Sequence, residues 1–125
     1  MSANIRMTLV LSLLLGGLGC GIVGPVGCTA DVRFGVVVTV VDALDGAFVT
    51  EGLFGVLVDG SFREEMEVFE NTLRGAAERE GQYDLTIVAD GYSSLTQRGI
   101  EVNADFCHVV PVGITAELEK SALSV

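Results

Sequence analysis

The sequence predicts an all-β fold, a small antiparallel β-sandwich of about seven strands preceded by an N-terminal signal segment. Three observations carry that expectation. Apolar residues recur with a period of two from Phe34 onward, the spacing of a strand with one face buried. Asp- and Gly-containing turn signals punctuate the chain at strand length. Half of the 125 residues are apolar while only 6% are aromatic and none is Trp, so the core must be built from Val, Leu and Ile, a β-rich choice.

Taken in order, the first strand covers residues 34–41. Phe34, Val36, Val38 and Val40 share one face, opposite Val37, Thr39 and Val41, and the near absence of polar side chains predicts burial on both sides. Asp42 to Gly46 turns the chain. A second strand spans about 53–58 and ends at Asp59-Gly60, a hairpin signal. Tyr83, Leu85, Ile87 and Ala89 then alternate against Asp84, Thr86 and Val88 in another strand. Residues 99–102 form a further one and 108–118 the last, where Pro111 implies an edge or a bulge. Residues 61–81 carry competing signals. Phe62, Met66, Phe69, Leu73 and Ala77 fall at helical spacing, Ser61 with Glu64 makes a capping box, and Gly81 is a stop; yet Asn71, Thr72 and Gly75 are poor helix formers in the interior.

The first thirty residues read as a bacterial export segment. Arg6 supplies the positive start, residues 7–15 an apolar run broken only by Thr8 and Ser12, and Gly16-Gly17-Leu18-Gly19 small residues before Cys20. The organisation expected is a signal peptide at 1–19, a tether at 20–31, the sandwich domain at 32–119 and a tail at 120–125. Lipidation of Cys20 ranks first, because Gly19 suits the position before a modified cysteine, although Gly17 stands where Leu is preferred. Three alternatives stay open: an uncleaved anchor over 7–26, processing at Cys28 after Gly27, and ordinary cleavage without lipid. Three cysteines are an odd number for an exported protein. If Cys20 carries lipid, Cys28 and Cys107 remain as a disulfide pair, favoured by an oxidising compartment over two free thiols.

Seven Lys and Arg against 17 Asp and Glu give a formal charge of −10, a field that repels nucleic acid. No catalytic, cofactor or metal constellation is legible. The single histidine, His108, follows Cys107 in an expected strand, where neighbouring side chains diverge. Cys28, Cys107 and His108 are too few for zinc. Asp42, Asp45, Asp59 and Asp90 occupy ordinary turns rather than a calcium loop, and Glu64, Glu65, Glu67 and Glu70 form a solvated acidic run.

The run Gly81-Gln82-Tyr83-Asp84-Leu85-Thr86-Ile87, continuing to Gly91-Tyr92, resembles the carboxypeptidase regulatory-like family, whose fold is prealbumin-like. The strand and acidic turn from Val36 to Ala47, the strand Val56-Leu57-Val58 with Asp59-Gly60, and Asp105 to Val112 extend the likeness over roughly residues 32–118, the last stretch resembling a bacterial subgroup of small envelope proteins. The family pattern places two strands in the ambiguous segment, at about 62–69 and 73–79, with a helix as the alternative. The acidity of residues 62–80 departs from the pattern, and no family ligand residues carry over. The resemblance implies an envelope-anchored, non-catalytic module, held at the membrane by its lipid, that binds a protein or carbohydrate partner or serves as a structural accessory. The alternative is a small hydrolase of the same fold. Such an enzyme would have several histidines and a C-terminal Tyr-Arg-Gly-Ser, whereas this chain has one histidine and ends Lys120-Ser121-Ala122-Leu123-Ser124-Val125.

Overall fold

Eight strands and no helix make up the residues described, 27–122, of the computed structural model. The signal segment, Cys20 and the alternative anchor at 7–26 lie outside the described residues. The strands are β1 (Phe34–Asp42), β2 (Phe54–Asp59), β3 (Phe62–Glu65), β4 (Glu67–Phe69), β5 (Thr72–Ala77), β6 (Gly81–Val88), β7 (Leu95–Val102) and β8 (Val112–Leu118). They form two four-stranded sheets, ordered β4-β5-β1-β8 and β3-β2-β6-β7. Every pairing is antiparallel except that of β1 with β8. The predicted β-sandwich is therefore present.

The period-two residues face inward as expected. Val36, Val38 and Val40 of β1 meet Leu57, Leu73, Tyr83, Leu85 and Ile87 in one aliphatic core. The other face of β1 differs from expectation: Val37, Thr39 and Val41 are only half-buried. Among the described residues no third layer covers them, and they are shaded by cross-strand neighbours such as Arg74, Thr72, Thr115 and Glu117.

The ambiguous segment is strand, and it accounts for the eighth element. The expected strand at 62–69 breaks at Met66 and passes from the second sheet to the first. Met66 is buried and its N–H donates to the Gly55 carbonyl at 2.8 Å. Two glycines make room for this crossing. A Cβ on Gly55 would stand 2.8 Å from Leu73 Cδ1 and 3.1 Å from Met66 Sδ, and one on Gly75 would stand 2.8 Å from Leu57 Cδ1. Glu64, the would-be helix cap, instead accepts the Ala76 N–H at 2.8 Å, supporting a residue whose φ is +57°.

Each of the two glycine–tyrosine signals becomes a hydroxyl clamp at a corner. Where the chain leaves β5 for β6, the fully buried Tyr83 donates its hydroxyl to the Arg79 carbonyl at 2.7 Å, a tyrosine corner. The Arg79 guanidinium bonds both that hydroxyl and Asp59, each at 3.0 Å, and lies 3.8 Å over the Phe62 ring. A Cβ at position 81 would stand 2.5 Å from Asp59 Oδ2 and 3.1 Å from Arg79 Nη1, so a side chain there would have to displace the Asp59–Arg79 pair. At the opposite end, Tyr92 donates to the buried Asp42 carboxylate at 2.7 Å, and Lys120 donates to the same oxygen at 2.8 Å. Lys120 and Ser121, assigned to a tail on sequence grounds, thus bond to the domain, Ser121 through its N–H to the Gly91 carbonyl.

Two strand bounds are corrected. β7 begins at Leu95 rather than 99, and β8 begins at Val112 rather than 108. Residues 103–111 make a loop closed by an Ala104–Val109 bridge, because the Asp105 carboxylate captures the N–H groups of Cys107 and His108 at 2.8 and 2.9 Å. An Asx turn of that kind competes with ladder pairing.

Candidate functional site

The polar groups that sequence left unplaced gather at the end of the sandwich where the chain enters. Cys28 and Cys107 are joined by a disulfide, their Cα atoms 5.2 Å apart across 79 positions of sequence. Beside it, Glu78 acts as a hub. One carboxylate oxygen accepts the Arg33 N–H at 2.9 Å and pairs with His108 Nδ1 at 2.6 Å, and the other accepts the Val109 N–H at 3.1 Å. Glu78 sits in the left-handed region at φ +49°, an uncommon backbone for a glutamate, which turns its carboxylate back across the end of the sandwich. The Arg33 N–H, then His108 and the Val109 N–H, hold the Glu78 carboxyl below the usual carboxylate range.

His108 Nε2 lies 3.1 Å from the Thr29 hydroxyl. Hydroxyl, imidazole and carboxylate thus stand in the order of an activated nucleophile. Sequence reasoning missed Thr29 and Glu78, since neither adjoins His108 in the chain; only the disulfide and the β5–β6 corner bring them together. Two features set the arrangement apart from a working triad. The Thr29 proton is donated to Asp31, so the oxygen presents a lone pair to the imidazole. The neighbouring backbone donors on Arg33, Cys107, His108 and Val109 are already bound to Glu78 or Asp105 and are not aimed at a substrate oxyanion. Asp31, in turn, is held well below the usual carboxylate range by Thr29 and then Arg33. A shallow groove of about 400 Å³ runs over this end, lined in part by Thr29, Glu78, Phe106 and His108.

The remaining candidates are dispersed. Cys107 and His108 occupy the loop rather than a strand, yet their side chains still diverge, one to Cys28 and one to Glu78. The acidic run splits: Glu64 supports Ala76, Glu67 pairs with Arg74 at 2.9 Å, and Glu65 and Glu70 are exposed. Asp42 is buried and accepts Lys120, Tyr92 and the Leu44 N–H, which together keep it well below the usual carboxylate range. Asp45 caps the Ala47 N–H and Asp59 pairs with Arg79. Among the described residues, no three His, Cys, Asp or Glu side chains are grouped so as to hold a metal ion. No helix of the described residues is long and apolar enough to cross a membrane. No family model matches the chain, and no curated protein is similar to it in sequence.

Proposed function

We propose that the protein is a non-catalytic β-sandwich lipoprotein of the carboxypeptidase regulatory-like kind, anchored at the bacterial cell envelope through Cys20 and holding a protein or carbohydrate partner. The observation that carries this reading is the Cys28–Cys107 disulfide. A bond of that type belongs to an oxidising, extracytoplasmic compartment, in agreement with an export segment directly upstream. It also uses two of the three cysteines, leaving Cys20 for lipid. Recognition falls to the loops and to β7 and β8, the outer strands on one side of the sandwich, while Glu65, Glu67 and Glu70 are the exposed carboxylates of the acidic run and Glu64 is engaged with the Ala76 N–H.

Fractionation and mass analysis test the anchor. Wild-type protein should carry a lipid-modified Cys20 and sediment with membranes, and Cys20→Ser should be released or left unprocessed; an unmodified Cys20 in wild-type protein rejects the anchor. Cross-linking in intact envelopes should capture a partner whose yield falls with Glu65→Lys. The second reading, a small hydrolase, is favoured by one observation, the Thr29–His108–Glu78 chain of hydrogen bonds. Hydrolytic turnover of ester or amide substrates that vanishes in both His108→Ala and Thr29→Ala would establish it in place of the binding role.

A further inference from the structure

We propose that the disulfide-bearing end of the sandwich rests on the membrane surface, with Phe106 entering the headgroup region of the bilayer that holds the chain's own anchor. The inference rests on the anchoring reading given above and adds an orientation and a contact surface to it. Phe106 is 84% exposed beside the bonded Cys107, and Val32 and Val110, 59% and 49% exposed, belong to the same end. Phe106 and Val32 line the same groove over this end, and large exposed apolar side chains set side by side mark a contact surface.

Chain length places that surface near lipid. The eight residues from Cys20 to Cys28 reach at most about 28 Å when fully extended, so the disulfide end cannot lie far from an acyl chain attached at Cys20. Leu44, 90% exposed, sits beyond the far end of β1, and Phe48, 58% exposed, is bridged to Val41 near that same end, about 30 Å away along the strand. The loop that carries Phe106 is already ordered by Asp105, by the Ala104–Val109 bridge and by the disulfide, so little further ordering opposes its insertion. Asp31, Glu78, Glu80 and Asp105 outnumber Arg33 and His108 around it. Such a surface is repelled by anionic lipid, and the occupant is a zwitterionic headgroup layer, entered by a Phe side chain of the kind that interfacial segments bury at the headgroup–acyl boundary.

The chain contains no Trp, so a single introduced indole reports without background. Full-length, anchor-bearing Phe106→Trp and Leu44→Trp variants would be reconstituted in phosphatidylcholine vesicles with and without brominated acyl chains. The Phe106→Trp probe should emit to the blue of the Leu44→Trp probe and be quenched about twofold more by the brominated lipid. Protein that floats with the vesicles while both probes remain equally water-exposed overturns the docking and leaves the anchor standing. Protein that does not float overturns both. Folding of each variant is verified by its β-type circular dichroism, and Val110→Trp supplies a second probe at the same end.

Discussion

Replacing both bridge cysteines, in a Cys28→Ala/Cys107→Ala variant, should lower stability by about 4.5 kcal/mol. The figure follows from the loop closed: with 79 positions between the cysteines, the chain-entropy relation gives roughly 15 cal/mol/K removed from the unfolded ensemble, or about 4.5 kcal/mol at 25 °C. A domain of about 100 residues unfolds with an entropy near 0.2 kcal/mol/K, so the melting temperature should fall by about 20 °C. Differential scanning calorimetry of the oxidised protein, the reduced protein and the double variant measures it, and the last two should coincide. A competing account exists in the same region. Arg33 N–H to Glu78, Thr29 to His108 and the Arg33–Asp31 pair also hold the entry segment, and exposed pairs of this sort contribute little each. If they do not hold residues 28–33 once the bridge is gone, the entry segment frays in the folded state, the bridge joins ends that the fold does not fix, and the drop will be under about 5 °C; that result refutes the argument that loop closure by the disulfide dominates. Non-reducing peptide mapping of envelope-derived protein must also recover the Cys28–Cys107 peptide; free thiols at both positions would remove the premise.

Tyr83→Phe keeps the ring in the core but leaves the Arg79 carbonyl without its partner, and should cost about 1 kcal/mol in urea denaturation, with an unchanged slope because the fold is retained. Asp42→Asn tests the far-end lock. Because the folded Asp42 carboxyl titrates below its unfolded value, its contribution is fully present above about pH 4 and is lost as pH falls further. The variant should accordingly be less stable than wild type at pH 6 and show a smaller decline between pH 5 and pH 2, though Glu78 and Asp105, also lowered by hydrogen bonds, keep some acid sensitivity. Tyr92 and Lys120 are both raised by contact with Asp42, so the lock also weakens as pH rises past about 10; a flat alkaline profile in wild type would contradict it.

What sequence alone determined is the part of the molecule ruled by local periodicity and covalent arithmetic. Val36, Val38 and Val40, and Tyr83, Leu85 and Ile87, announced their buried faces, because a strand alternates regardless of its partner. The pairing of Cys28 with Cys107 was expected from an odd cysteine count on the reading that Cys20 carries lipid, and the disulfide is present. What only the tertiary structure decided depends on where the two sheets meet. Residues 61–81 carried a helical pattern locally, and strand won because Met66 could cross between sheets over Gly55 and Gly75, a gain invisible within one turn of chain. The start of β8 was misplaced by Asp105, whose carboxylate took backbone donors that periodicity assigns to a ladder. Glu78 and Thr29 stayed hidden for the same reason: 30 and 79 positions from His108, they acquire a relation to it only when a left-handed turn and a disulfide fold three separate segments onto one end of the sandwich.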